Sequence, residues 1–379
     1  MTQRIRLLWL IDTLRVGGAE SLALSYARHY DRSRYELFVC HLHSIEGSTL
    51  EDQLREAGAE VVSIGARNLR DWRAFRRLLA FVRDAHIDLI HAHLTYSAIW
   101  SAIVSRLTGV PSVASLHVSP QPGRGRALRD RLMRFVLNRW GTTVITVSEA
   151  LRAEYIAGGG IAAEKIRAVH NGIDGERFAR DRATARAVLE RDFDIPHDAR
   201  VAVSVCVLRP RKGIDVLLAA APEILKRVPG AHFLVSGDGE MRDAWQSLAT
   251  ELGVERAVRW AGYRADVDSF LAGCDLLVHP TLEDAFPTVL LEAMSASLPV
   301  VASAVGGVPE IVQPGVTGEL VPATDVRRLA DAVSRLLGDD AVLRRMGAAA
   351  RVAAQKQFST RAWMDRLDRV YADALGERP

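Results

Sequence analysis

The 379-residue chain is 49% hydrophobic and 25% charged, which excludes a disordered chain and suits two domains of ordinary size. The net charge of +3 is modest, yet residues 1–178 carry 24 basic against 18 acidic side chains, and residues 65–139 carry 13 Arg against four Asp. An anionic partner is therefore expected for the first half, while the acidic remainder and the lack of any base-reading module exclude nucleic acid.

In chain order, residues 5–11 read as a first buried strand. The apolar run from Leu7 to Ile11 is cut by Asp12 and Arg15, too soon for a signal peptide. No stretch reaches the ~18–20 apolar residues of a membrane span. Further strands are expected at 35–41, 60–64, 88–91, 112–117, 143–147 and 166–169, with helical patterns between most of them. This alternation argues for a parallel sheet covered by helices on both faces. It pauses after Asn171-Gly172-Ile173-Asp174, and the stretch to about Ala199 reads as linker plus one helix. The alternation restarts with strands at 201–207, 232–236, 257–260, 276–279 and 299–302 and helices at 214–227, 241–252 and 287–296. The tail, 360–374, is a separate amphipathic helix with Trp363, Leu367, Val370 and Tyr371 on one side. The fold class is α/β, two doubly wound domains in tandem: 1–178, 179–359, and a C-terminal helix in 360–379. Cys40, Cys206 and Cys274 are few and widely spaced in apolar context, so neither a disulfide framework nor a zinc site is indicated and a cytoplasmic setting is expected.

In such sheets ligands bind beyond the carboxyl ends of the strands, and several unusual segments fall there. Gly17-Gly18-Ala19-Glu20 follows the first strand and opens a helix, as close backbone approach to an anion requires, although a tight turn alone would also explain it. The dinucleotide fingerprint G-x-G-x-x-G is absent. Leu208-Arg209-Pro210-Arg211-Lys212-Gly213 sets three cations after a strand in a lysine-poor chain, a clamp for a diphosphate. Gly237-Asp238-Gly239 follows the next strand and reads first as turn geometry. The densest segment, 276–312, places Asp284 in a loop before a helix and Glu292 two turns along it. One carboxylate can thus meet a sugar while the other receives ribose hydroxyls.

Taken in order, these motifs resemble glycosyltransferase family 4, the retaining nucleotide-sugar enzymes of GT-B fold. The resemblance rests on GGAE at 17–20, HAH at 91–93, SLH at 115–117, VSEAL at 147–151, HNGID at 170–174, LRPRKG at 208–213, SGDGE at 236–240, and the segment from DAFPTVLLEAM to GGVPEIV. It spans nearly the whole chain and is specific for the family while saying little about the substrate. It implies that Gly17 and Gly18 contact the donor diphosphate or sugar, that His117 meets the transferred sugar, and that Lys212 binds the diphosphate. Asp284 would bind the sugar and Glu292 the ribose, with Gly237 and the backbone of Phe286, Pro287, Thr288 and Val289 contributing further donor contacts. His93 and Asn171 would lie on the acceptor side. The two domains would face across a cleft, the last helix returning to the first domain.

This chain departs from the family pattern at two places. Asp284 stands where the family usually has Glu in a Glu-x7-Glu pair, with Glu283 beside it. Cys206-Val207 stands where the family often has Gly-Arg, so Arg209 or Arg211 is expected to take over the phosphate contact. The pairs Asp192-Phe193-Asp194 and Asp266-Val267-Asp268 read as linker and helix-start residues, and no divalent metal is expected. The Arg-rich amphipathic helix at 124–140 suits either ordinary packing or a peripheral place on an anionic membrane surface. The function implied is transfer of a hexose, from a UDP-sugar before a GDP-sugar, to a saccharide or lipid-linked acceptor in envelope or exopolysaccharide synthesis. A non-catalytic nucleotide-sugar-binding protein and a nucleotide-sugar epimerase are the competing readings.

Overall fold

Strand β1 (Ile5–Ile11) is buried on both faces, Leu7 through Ile11 being wholly inaccessible, and this places it at the centre of a sheet. We describe residues 4–14, 18–44, 49–119, 124–140, 143–158 and 160–377 of a computed structural model. They fall into two units, Met1–Gly172 with Thr360–Pro379, and Ile173–Ser359.

In the first unit β1 is joined by β2 (Tyr35–His41), β3 (Glu60–Ser63), β4 (Leu89–His93), β5 (Ser112–Leu116), β6 (Thr143–Thr146) and β7 (Ile166–Ala168). All pair in parallel in the order β3-β2-β1-β4-β5-β6-β7. The order reverses between β1 and β4, which opens a crevice at their carboxyl ends. The final helix, Thr360–Leu375, buries Trp363, Leu367, Val370 and Tyr371 in the core that holds Trp9 and Tyr26. The Tyr35 hydroxyl donates to Asp368 at 2.8 Å.

The second unit repeats the arrangement with β8 (Arg200–Val205), β9 (Ala231–Ser236), β10 (Val258–Gly262), β11 (Leu276–His279), β12 (Val300–Ser303) and β13 (Gly318–Val321). The order is β10-β9-β8-β11-β12-β13, parallel throughout, and the reversal lies between β8 and β11. Both sheets are Rossmann-like. The stretch read as linker plus one helix holds Arg182–Phe193, capped by Asp181 accepting from the Thr184 amide. Sequence patterning leaves 304–359 unassigned, yet β13 and the helices Val326–Leu337 and Asp340–Gln357 lie there. β13 is a four-residue edge strand, and the inner face of Asp340–Gln357 sets Leu343 and Met346 beside the small residues Gly347, Ala350 and Ala354, so neither has the sustained bulky periodicity that marks an element. Among the described residues no helix is long and apolar enough to cross a membrane.

Candidate functional site

The switch point of the second sheet brings Lys212 and Asp284 together. Lys212 ends a single 3-10 turn, Pro210–Lys212, just after β8, and Asp284 lies just after β11. Lys212 Nζ donates to Asp284 Oδ2 at 2.5 Å, and His279 Nε2 donates to the same oxygen at 3.3 Å. Burial opposes ionisation of Asp284, but the His279 hydrogen bond and the Lys212 charge outweigh it and hold its carboxyl at about 2. The site is therefore a preformed ion pair, its two side chains only 14% and 15% exposed.

Glycine makes this pairing possible. Gly213 has φ +64°, and a Cβ there would fall 2.0 Å from the Pro280 carbonyl oxygen. The loop after β8 thus lies backbone to backbone on the loop after β11, joined by the Leu282 amide donating to the Arg211 carbonyl at 2.7 Å. Gly306 (φ +49°) does the same for Asp284, whose carbonyl oxygen would stand 1.9 Å from an added Cβ. Any side chain at either glycine would force the loops apart.

The helix Thr288–Ser295 starts at Pro287 with no side-chain cap. The amides of Thr288 and Val289 have no partner within the helix and point from its positive end. Phe286, two residues before the helix, is buried, and Glu292 follows one turn into it. Burial pushes the Glu292 carboxyl up to about 7, with Arg177 opposing and Asp268 reinforcing the shift. Gly237, with φ +135°, lies against the Cys206 carbonyl, and Arg209 and Arg211 are exposed on the Lys212 loop.

In the first unit three histidines gather at the ends of β4 and β5. His93 Nδ1 is hydrogen-bonded to His117 Nε2 at 3.0 Å, and the His93 ring stacks on Trp9 with centroids 4.0 Å apart. His91 is held between the Tyr371 hydroxyl at 2.6 Å and Ser115 Oγ at 2.7 Å. Burial lowers His117 to about 4 and His91 to about 3, and it depresses His93 as well. The cluster is neutral at pH 7 and serves as hydrogen-bonding groups, not as charges. Asn171, 7% exposed, lines the same small void as His93 and His117. His93 is 1% exposed, its ring lies against Trp9, and its Nε2 has no hydrogen-bond partner among the described residues. Gly17 lies outside the described residues; Gly18 opens the helix Gly18–His29.

Three contributors escaped sequence reading. His279 shows only as the end of β11. Asp12 accepts from the Tyr96 and Ser97 amides at 3.2 and 2.7 Å, capping the helix Thr95–Thr108, whose N-cap residue Leu94 has φ +72° and gives no side-chain cap. Tyr371 reaches His91 from the far end of the chain.

Comparison with known proteins matches residues 16–177 to the family model described as Glycosyltransferase Family 4 and residues 186–353 to that described as Glycosyl transferases group 1. D-inositol 3-phosphate glycosyltransferase of Corynebacterium aurimucosum is 31% identical over 315 residues, 77% of this chain and 73% of that protein. The chain belongs to glycosyltransferase family 4. Another relative of this transferase is the GDP-mannose-dependent alpha-(1-6)-phosphatidylinositol monomannoside mannosyltransferase of Mycobacterium tuberculosis, 36% identical over 60% of this chain and 62% of that protein. Anabaena Alr3699/HepE in complex with UDP and glucose superposes with a TM-score of 0.83 and 25% identity, covering 98% of this chain and 100% of that one. Sucrose-phosphate synthase of Thermosynechococcus elongatus follows at 0.79 and 21%, covering 99% and 100%. The transferase therefore has the GT-B fold and a nucleotide-sugar co-substrate.

The two D-x-D pairs of the transferase have structural partners. Asp192 pairs with Arg191 and Arg264, and Asp194 is a left-handed helix C-cap. Asp266 pairs with Arg264, while Asp268 receives Arg177 and Arg180. Val207, standing where the resemblance implies an Arg, is 54% exposed.

Proposed function

We propose that this transferase moves a hexose, with retention at the anomeric carbon and without a divalent metal, from a nucleotide-sugar to a saccharide or lipid-linked acceptor carrying negative charge. The observation that carries the reading is the Lys212–Asp284–His279 cluster at the β8/β11 switch point, beside the open amides of Thr288 and Val289. An ammonium, a carboxylate and free helix-end N–H groups are the parts needed to hold a diphosphate, a sugar hydroxyl and the charge that develops on the leaving phosphate. Lys212, with Arg209 or Arg211, takes the diphosphate; Asp284 and the Phe286–Val289 backbone take the sugar; Glu292 takes the ribose. Residues 179–359 are then the donor domain and 1–178 the acceptor domain. Gly17, Gly18 and His117 contribute the sugar contacts of the first domain, with Asn171 on the acceptor side. His93, hydrogen-bonded to His117, joins Asn171 on the acceptor side.

UDP is preferred over GDP as the carrier, a choice supported by the UDP complex of the structural neighbour at 25% identity, while the mannosyltransferase named for GDP-mannose keeps the second carrier open. Relatives named for inositol phosphate support an acceptor with a phosphate group, as does the Arg excess of 65–139. Proton NMR of the product formed from a UDP- or GDP-α-hexose in the presence of a chelator is expected to show the α anomer first. An initial β product, or a rate restored only by manganese, would defeat the corresponding part.

The helix Arg124–Arg139 exposes Leu128, Leu132 and Phe135, at 67%, 42% and 60%, along one stripe, while Met133, Val136 and Leu137 are buried. An anionic bilayer would cover the exposed stripe and attract the surrounding arginines, giving a place on the cytoplasmic membrane face. The protein is expected to sediment with phosphatidylglycerol vesicles at low salt and to be released by L128S/F135S. Equal sedimentation of the variant would contradict this.

A further inference from the structure

The second unit has another concave site at the opposite edge of its sheet from Lys212. It is a groove of about 510 Å³ at the amino ends of the strands, lined where β8 begins at Arg200, where Asp275 precedes β11 and where Pro299 precedes β12. The six residues of β8 separate it from the Lys212 loop by roughly 20 Å. The groove presents Arg180, Arg182, Arg200, Arg344 and Arg351 against only Asp275 and Asp340.

Those two carboxylates are already committed. Asp275 accepts from the Val201 amide at 2.8 Å and from Arg182 at 2.6 Å, and Asp340 pairs with Arg200 at 2.6 Å. Arg180 is held by Asp268, outside the groove. Arg344 and Arg351 have no hydrogen bond or ion pair among the described residues. They stand with Ala348 on one face of the helix Asp340–Gln357, at spacings of four and three. That wall is set by contact, since a Cβ on Gly347 would lie 2.0 Å from the Ser297 carbonyl oxygen. Phe178, Ala272, Ala296 and Leu343 give the groove an apolar lining beside the charge.

We propose that this groove is a second ligand site, taking a soluble phosphate monoester whose organic group is about the size of a sugar. Two unpaired guanidiniums on one helix face suit the phosphate oxygens. The volume falls in the range of small-molecule sites and exceeds what phosphate alone would fill. The apolar lining receives the ring, and Ser297 and Asp340 lie where its hydroxyls would reach.

The test uses the full-length protein at constant ionic strength with glucose 6-phosphate as probe. At 10 mM the melting temperature should rise by about 2–4 °C in the wild type and in K212A, whose donor loop lacks its ammonium. Glucose alone should give no rise. R344Q/R351Q should keep the wild-type circular dichroism and unliganded melting temperature, because neither side chain has a partner to lose, and should bind the probe at least tenfold more weakly. No rise at 10 mM, an equal rise in R344Q/R351Q, or a rise abolished by K212A would each overturn the proposal. So would capture by phosphatidic acid vesicles through Arg344 and Arg351 without any response to the soluble ester.

Discussion

Lys212→Ala is expected to lower sugar transfer by about 10²–10³-fold, the cost of removing one preorganised group that stabilises transition-state charge. The fall should lie mainly in kcat, because the diphosphate gains negative charge as the sugar leaves. The same change leaves the Asp284 carboxylate, 15% exposed, with only His279 as partner among the described residues. Stability should therefore also drop, by about 1–3 kcal/mol. Lys212→Ala/Asp284→Asn should recover most of that stability and none of the activity. Steady-state kinetics and urea unfolding of the three variants separate the two effects. An active Lys212→Ala protein would move the diphosphate contact elsewhere, with Arg209 and Arg211 the groups to examine.

Glu292→Gln is expected to stabilise the unliganded protein while disabling it. In the fold Glu292 titrates at about 7, against an ordinary 4.5. Between those values the folded state keeps a proton that the unfolded chain has released, so stability falls as pH rises from 4.5 to 7 and stays lower above it. Glutamine removes that loss. The variant should be more stable than wild type by roughly 2–3 kcal/mol at pH 8, with the difference gone at pH 4. Donor affinity should fall by about 10–100-fold, since glutamine replaces the charged acceptor of the ribose hydroxyls. In the wild type, affinity should rise between pH 6 and pH 8 as the carboxylate forms. A variant no more stable than wild type at pH 8 would show that Glu292 is already ionised in the fold. A site residue that costs stability when empty is a common price of function.

Both effects come from contacts that are only partly visible in the chain as written. The apolar runs at 5–11 and 35–41 announce their strands because buried parallel strands need continuous hydrophobic sequence, and β1 and β2 have those bounds. Lys212, Asp284 and Glu292 stand out by composition and place after a strand. What brings Lys212 against Asp284 does not, because it depends on Gly213 meeting Pro280 and Gly306 meeting Asp284 across long sequence separations. As sequence, Gly213 is only the last residue of LRPRKG and Gly306 the first of GGVPEIV. His279 is invisible for the same reason: a strand-end histidine becomes a partner of Asp284 only once the loop folds back over it. His93 is visible in sequence as part of HAH at 91–93, whereas its stacking on Trp9 is a contact between neighbouring strands β1 and β4 that local pattern does not report. β13 was missed because four residues at a sheet edge carry too little periodicity to be seen.

The central claim, a nucleotide-sugar site built on Lys212, Asp284 and Glu292, is tested most directly by calorimetric titration of the purified protein with UDP-glucose, GDP-mannose and the two free nucleotides in a chelating buffer. The expected result is saturable binding of one nucleotide series, weakened at least tenfold in both Lys212→Ala and Glu292→Gln. Binding that is unaffected by either substitution, or no binding of any of the four compounds, would contradict it.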